Sequence, residues 1–132
     1  MKQIILFCSL LGALTLNAET PQEGAKAIYE LIKAENYTEL FPSRYSEWYK
    51  VENEGIASDK AIARLSRGYQ KNHEMILSIY TQLAEAEFEL SQRENPQISE
   101  TGEIATATVK MGEKERPFKL YKMKNGRWGF HM

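Results

Sequence analysis

Ile104-Ala105-Thr106-Ala107-Thr108-Val109-Lys110-Met111, then Gly112, then Pro117-Phe118-Lys119-Leu120-Tyr121-Lys122-Met123, is the stretch whose reading decides the fold. Ala105, Ala107, Val109 and Met111 fall on one side of an extended chain, and Thr106, Thr108 and Lys110 on the other. Period two with β-branched residues marks a half-buried strand. Gly112 to Glu115 reads as a turn, and Pro117 to Met123 as the next strand. Asn125-Gly126 predicts a two-residue type I′ hairpin, because that turn needs positive φ at both central residues. Lys124 then pairs with Arg127, Met123 with Trp128, Tyr121 with Phe130 and Leu120 with His131.

This register puts Tyr121, Met123, Trp128 and Phe130 on one face, and Phe118 and Leu120 on the other. A sheet with one wet face alternates apolar and polar residues. A hairpin apolar on both faces predicts that one packs on a helix. The other is expected to be covered by a second protomer, as in a homodimer, or by an envelope protein partner.

Upstream, Glu85, Glu87 and Glu89 alternate with Ala86, Phe88 and Leu90. We read a first strand there, although Ala, Glu and Leu also suit helices. Asn95-Pro96 and Gly102 bracket a loop. Before these strands the period is helical. Thr20-Pro21-Gln22-Glu23 carries a cap, a first-turn proline and a capping-box glutamate. Ile28, Leu31 and Ile32 give the buried stripe, and Asn36 the stop. Asn36-Tyr37-Thr38 also matches the N-glycosylation sequon. In Leu40 to Tyr49, Pro42 separates two short helical turns. Phe41, Tyr45 and Trp48 or Tyr49 recur at helical spacing, and the simpler reading, core aromatics, outweighs a ligand-lining box. Glu54-Gly55 is a linker. Ser58 or Asp59 caps a long helix to about Tyr80, with Ile62, Leu65, Tyr69, Ile76 and Tyr80 as its stripe, widened by Leu77 and Ile79. The order predicts an α+β fold, three N-terminal helices (one long) packed on a four-stranded antiparallel sheet.

The chain opens with Met1-Lys2-Gln3, an apolar run from Ile4 to Leu16, and Asn17-Ala18 before polar Glu19. That is the pattern of a secretory signal peptide over residues 1–18, cut after Ala18, which predicts a secreted or periplasmic protein. The run is short of the roughly 20 apolar residues of a membrane anchor. Cys8 is a poor lipidation site, since Phe7 precedes it and most of the apolar run follows it. Cys8 leaves with the leader, so the mature chain carries no cysteine chemistry. The 114 residues left suit one domain, residues 19–132. Removing Lys2 leaves 16 basic and 18 acidic residues, a formal charge of −2 that gives no net pull toward nucleic acid or anionic membrane. Glutamates cluster from Glu85 to Glu103 and basic residues from Lys110 to Arg127. Complementary solvent faces of neighbouring strands explain this more simply than a binding surface does.

Thr20 to Tyr37 resembles the opening helix of small bacterial envelope proteins of the cystatin-like, nuclear transport factor 2-like superfamily. Leu120-Tyr121-Lys122-Met123-Lys124-Asn125-Gly126-Arg127-Trp128-Gly129-Phe130 resembles their closing hairpin. The resemblance covers both ends of the domain and implies a cystatin-like cone fold. It implies no particular function, because some members are isomerases or dehydratases and others are binding, assembly or immunity modules.

No catalytic, phosphate-loop or cofactor motif appears, and His73 and His131 are too few for a zinc site of their own. His73 lies on the stripe of the long helix, where a general base would sit in a cone, although a hydrogen-bonded boundary histidine is the simpler reading. The lone aspartate, Asp59, is accounted for by its cap position. Three functions follow in this order. The first is a non-enzymatic envelope binding or assembly module working through Phe118, Leu120, Tyr121, Trp128 and Phe130. The second is a pocket for a small apolar ligand lined by Tyr69, Tyr80 and Trp128. The third is a small lyase or isomerase with His73 as base. None of them calls for a metal or cofactor.

Overall fold

The computed structural model describes residues 18–93 and 101–131. The expected leader, residues 1–18, lies outside the described residues except for Ala18, and so does the Asn95-Pro96 end of the expected loop. Five helices precede four strands among the described residues: α1 (Pro21–Lys33), α2 (Tyr37–Arg44), α3 (Trp48–Asn53), α4 (Ser58–Lys71), α5 (His73–Glu85), β1 (Glu89–Gln92), β2 (Glu103–Met111), β3 (Lys114–Lys122) and β4 (Trp128–Gly129). The strands form one antiparallel sheet in the order β1-β2-β3-β4, so the α+β expectation holds.

Helix α1 starts as its sequence predicts. Glu23 N–H donates to Thr20 Oγ1 at 3.1 Å and Thr20 N–H donates to Glu23 Oε1 at 2.9 Å, a reciprocal capping box. Ala25, Ile28 and Ile32 are fully buried. Each isoleucine contributes about 1.5–3 kcal/mol by leaving water. The stop differs from expectation. Glu35, not Asn36, takes the left-handed conformation, with φ 54°. Glu35 N–H bonds Ile32 O and Asn36 N–H bonds Leu31 O, both at 2.9 Å, the two bonds of a Schellman motif. Asn36 is instead the residue before α2.

Pro42 does not divide the next segment. It sits inside α2, and the break falls at Tyr45, whose backbone is extended. Pro42 removes the N–H that would bond Thr38 O and crowds that carbonyl, and the helix ends within one turn of it. The expected long helix is two helices. Asn72 (φ −111°, ψ 27°) ends α4, and its side-chain amide donates to Gly68 O at 3.0 Å. An asparagine that satisfies a backbone carbonyl with its own side chain competes with helix continuation. Nor do Ser58 or Asp59 cap α4, since Ala57 occupies that position without a side-chain bond.

The region expected as the first strand is helical at its start. Helix α5 runs to Glu85 because Leu83, fully buried, continues the spacing of Ile79 and Tyr80. Strand β1 begins only at Glu89, and all four of its residues are exposed. In β2, Ala105, Ala107 and Val109 are buried, as alternation predicts. Opposite them lie Leu120, Phe118 and Arg116 of β3. Charge complementarity appears between β2 and β3, where Lys110 pairs with Glu115 in the ladder and Lys122 Nζ lies 3.4 Å from Glu103 Oε2.

The final hairpin departs from the two-residue turn. Tyr121 pairs with Gly129 and Lys122 with Trp128. Met123 N–H donates to Arg127 O at 2.7 Å and Gly126 N–H to Met123 O at 2.9 Å. Gly126 has φ 85° and Asn125 keeps a negative φ. That is a three-residue loop, a turn closed by a left-handed glycine, instead of type I′. The extra residue slips the register by one, and a one-residue slip moves a strand's side chains to the opposite face. Trp128 and Phe130 therefore join Phe118 and Leu120 on the core face. Tyr121 and Met123 stay on the opposite face, Tyr121 half-buried and Met123 buried, while the face of Leu120 packs on the helices of the same chain.

The core is aromatic and lies between this face and the helices. Phe41 packs edge-on against Tyr69 (5.2 Å) and Phe130 (5.9 Å), and Tyr80 meets Phe118 (5.8 Å) and Phe130 (6.5 Å).

Candidate functional site

The polypeptide between α2 and α3 is tied to the end of the sheet. Phe130 N–H donates to Arg44 O and Ser46 N–H to Phe130 O, each at 2.8 Å, so Tyr45 bridges Phe130 in parallel. Gly129 makes this approach feasible. A Cβ there would lie inside contact distance of Arg44 O and 2.8 Å from Met123 Sδ. Glu19 locks the junction from the other side. Its carboxylate takes Arg44 in a bidentate pair, at 2.6 and 3.0 Å, and accepts Trp128 N–H at 2.9 Å. Its carbonyl accepts the Trp128 indole N–H at 2.8 Å, while Arg44 also donates to Trp128 O at 3.0 Å. Arg44 is 5% exposed, so this ion pair is largely withdrawn from water.

On the outer side of that junction lies an open groove of about 630 Å³. Pro42, Ser43, Tyr45, Ser46, Trp48, Tyr49, Glu52 and Asn53 form one wall, and Met123, Lys124 and Asn125 of the last turn form the other. The volume lies within the range of about 300–1,000 Å³ usual for small-ligand sites. Helix α3 is only six residues long, and it places Trp48 and Glu52 one turn apart. Trp48 Nε1–H donates to Glu52 Oε1 at 2.9 Å, which fixes the indole plane. Tyr49 is 40% exposed. Tyr45 stacks on His131 (6.3 Å, 9°), and His131 meets Tyr121 edge-on at 6.2 Å. Glu47, almost buried, pairs with both Lys50 and His131 behind this wall. Burial first, and then the Glu47 carboxylate, raise the Tyr45 phenol above its ordinary value, so at neutral pH it remains an O–H donor. Ser46 is 3% exposed, and its Oγ has no hydrogen-bond partner among the described residues.

The residues singled out from the sequence lie mostly elsewhere. Tyr69, Tyr80, Leu120, Trp128 and Phe130 are buried core residues, and Phe118 is half-buried against Tyr80. None of them lines the groove. Tyr121 is half-buried on the opposite face of the sheet, next to His131 and paired across the ladder with Ile104. His73 opens α5, its Nδ1 is buried with no hydrogen-bond partner among the described residues, and it does not line the groove. The Leu40–Tyr49 aromatics divide. Phe41 is core, while Tyr45, Trp48 and Tyr49 form the groove wall. The second wall was missed. Its signal was the three-residue turn that carries Lys124 and Asn125 to the outer side of the sheet.

No protein-family model, no curated protein and no solved structure matches this chain. Among the described residues no helix is long and apolar enough to cross a membrane, and no cluster of histidine, cysteine and carboxylate groups is arranged to hold a metal ion.

Proposed function

We propose that this protein is an exported, non-enzymatic binding module whose binding surface is the groove between the α2–α3 segment and the β3–β4 turn. The carrying observation is the groove itself, in which three aromatic rings from one short segment face a turn rich in polar side chains. Export is supported by the residue pattern of positions 1–18. The resemblance to cystatin-like envelope domains is compatible with helices packed on a four-stranded antiparallel sheet. The binding surface moves from the hairpin face to the groove, because Leu120, Trp128 and Phe130 are consumed by the core.

Binding ranks above catalysis for a chemical reason. A general base needs a titratable group within reach of substrate. The carboxylate lining the groove, Glu52, is held by the Trp48 indole N–H at its Oε1, and the histidine read as a base, His73, does not line it.

The test expresses the full chain, separates cytoplasmic from extracytoplasmic protein and weighs both by native mass spectrometry. A mass shortened by residues 1–18 in the extracytoplasmic fraction, with an adduct that Tyr49→Ala abolishes, is the expected result. An uncleaved chain confined to the cytoplasm refutes export. An adduct indifferent to Tyr49→Ala refutes the groove as its seat.

A further inference from the structure

We infer that the groove takes a neutral saccharide, with a sugar ring laid on the Trp48–Tyr49 aromatic wall. The inference rests on the binding-module reading and names its ligand class.

The lining excludes other chemistries in turn. A purely apolar ligand would strip water from Glu52, Asn53, Lys124 and Asn125 without replacing its hydrogen bonds, which is costly. An anionic ligand would find a single lysine offset by a single glutamate, with no net positive field. A proline-rich peptide is usually held on an aromatic-lined groove. An indole that donates to the peptide strengthens such a site, and here the Trp48 N–H is committed to Glu52 at 2.9 Å. Trp48 therefore brings an aromatic surface to the groove with its donor already spent.

A sugar matches what remains. Its ring has apolar C–H faces that suit the negative face of an aromatic π-system. Its hydroxyls each donate and accept, so they require both kinds of partner in one place. The Tyr45 hydroxyl lines the groove and stays protonated, which leaves it able to donate. Asn53 supplies an amide with both functions, and Asn125, whose Oδ1 already accepts Arg127 N–H at 2.9 Å, presents its amide nitrogen as a donor. The second, independent observation is Ser46. This groove residue is more than nine-tenths buried and its hydroxyl has no partner among the described residues. Buried polar atoms of folded proteins are nearly always hydrogen-bonded, so such a hydroxyl marks a place where a polar ligand group completes the set.

The test titrates the full protein with chitotriose, cellotriose and maltotriose, and in parallel with decaproline, by isothermal calorimetry and intrinsic tryptophan fluorescence. At least one trisaccharide is expected to bind saturably and to perturb Trp48 emission. Tyr49→Ala and Asn53→Ala, both at exposed positions, are expected to weaken it about tenfold each without lowering the melting temperature. Trp48→Phe, which keeps a ring face, should retain more affinity than Trp48→Ala. Decaproline bound with no trisaccharide bound at millimolar concentration overturns the saccharide assignment and leaves the binding-module reading standing. Saccharide binding that ignores both Tyr49→Ala and Asn53→Ala overturns the groove as its site. Binding of nothing in the set overturns the saccharide class, and the adduct mass from native spectrometry then decides the broader reading.

Discussion

Removing the Glu19 carboxylate tests the structural argument most directly. Glu19→Ala deletes both oxygens of the bidentate Arg44 pair, at 2.6 and 3.0 Å, and the acceptor of Trp128 N–H at 2.9 Å. Arg44 keeps only Trp128 O and is 5% exposed, so a guanidinium is left in a largely dry site with one partner. Breaking a buried pair from one side costs about 3–5 kcal/mol, mostly because the remaining charge stays buried and unpaired. A domain of this size has roughly 5–15 kcal/mol in total, so the variant should lose about a fifth or more of its stability. Urea unfolding followed by tryptophan fluorescence measures this through the midpoint at constant slope. Glu19→Gln should fall between wild type and Glu19→Ala, since an amide still accepts from Arg44 and Trp128. In the double variant Glu19→Ala/Arg44→Met the unpaired charge is gone, and much of the loss should return. A cost below about 1 kcal/mol for Glu19→Ala, the value of an exposed pair, would refute the claim that this pair is buried and anchors the chain.

Three further outcomes follow from the same geometry. Glu35→Gly relieves a left-handed non-glycine residue (φ 54°) at an exposed helix end and should raise stability by about 1 kcal/mol, read as a higher urea midpoint. Gly129→Ala forces a methyl against Arg44 O and Met123 Sδ, and should cost at least about 2 kcal/mol while broadening the NMR signals of Ser46 and Phe130. Burial raises the phenols of Tyr69 and Tyr80 well above their ordinary 10.0, so the folded state holds those protons more tightly than the unfolded chain. Stability is then fully present below pH 10 and falls as pH rises beyond it. Alkaline titration at 295 nm should show these two tyrosinates appearing only with unfolding, and Tyr80→Phe should flatten the fall.

The helix start and the strand interiors were legible because local rules fix them. Thr20 and Glu23 cap each other within one turn, and Ala105, Ala107 and Val109 alternate whatever surrounds them. The breaks were less legible. Asn72 divides a continuous apolar stripe by a side-chain bond to Gly68 that no periodicity reveals. Asn125-Gly126 carries the dipeptide of a two-residue turn, yet the loop closes on Arg127 with one residue more, and that single residue exchanges the faces of Trp128 and Phe130. The groove was half legible. Tyr45, Trp48 and Tyr49 stood out as an aromatic run, but no sequence rule brings Met123 and Asn125 to face them. That contact is made by Gly129 and by an ion pair spanning 25 residues.

The parallel bridge at Tyr45 and Phe130 gives the groove a mechanical character. One wall is hung on the sheet by two backbone bonds, Ser46 N–H to Phe130 O and Phe130 N–H to Arg44 O. That wall cannot swing outward without parting both, so those two amides should exchange with solvent together, at a rate set by local opening of the wall. A molecule seated in the groove holds the wall shut, and its occupancy becomes countable at two protons that it never touches.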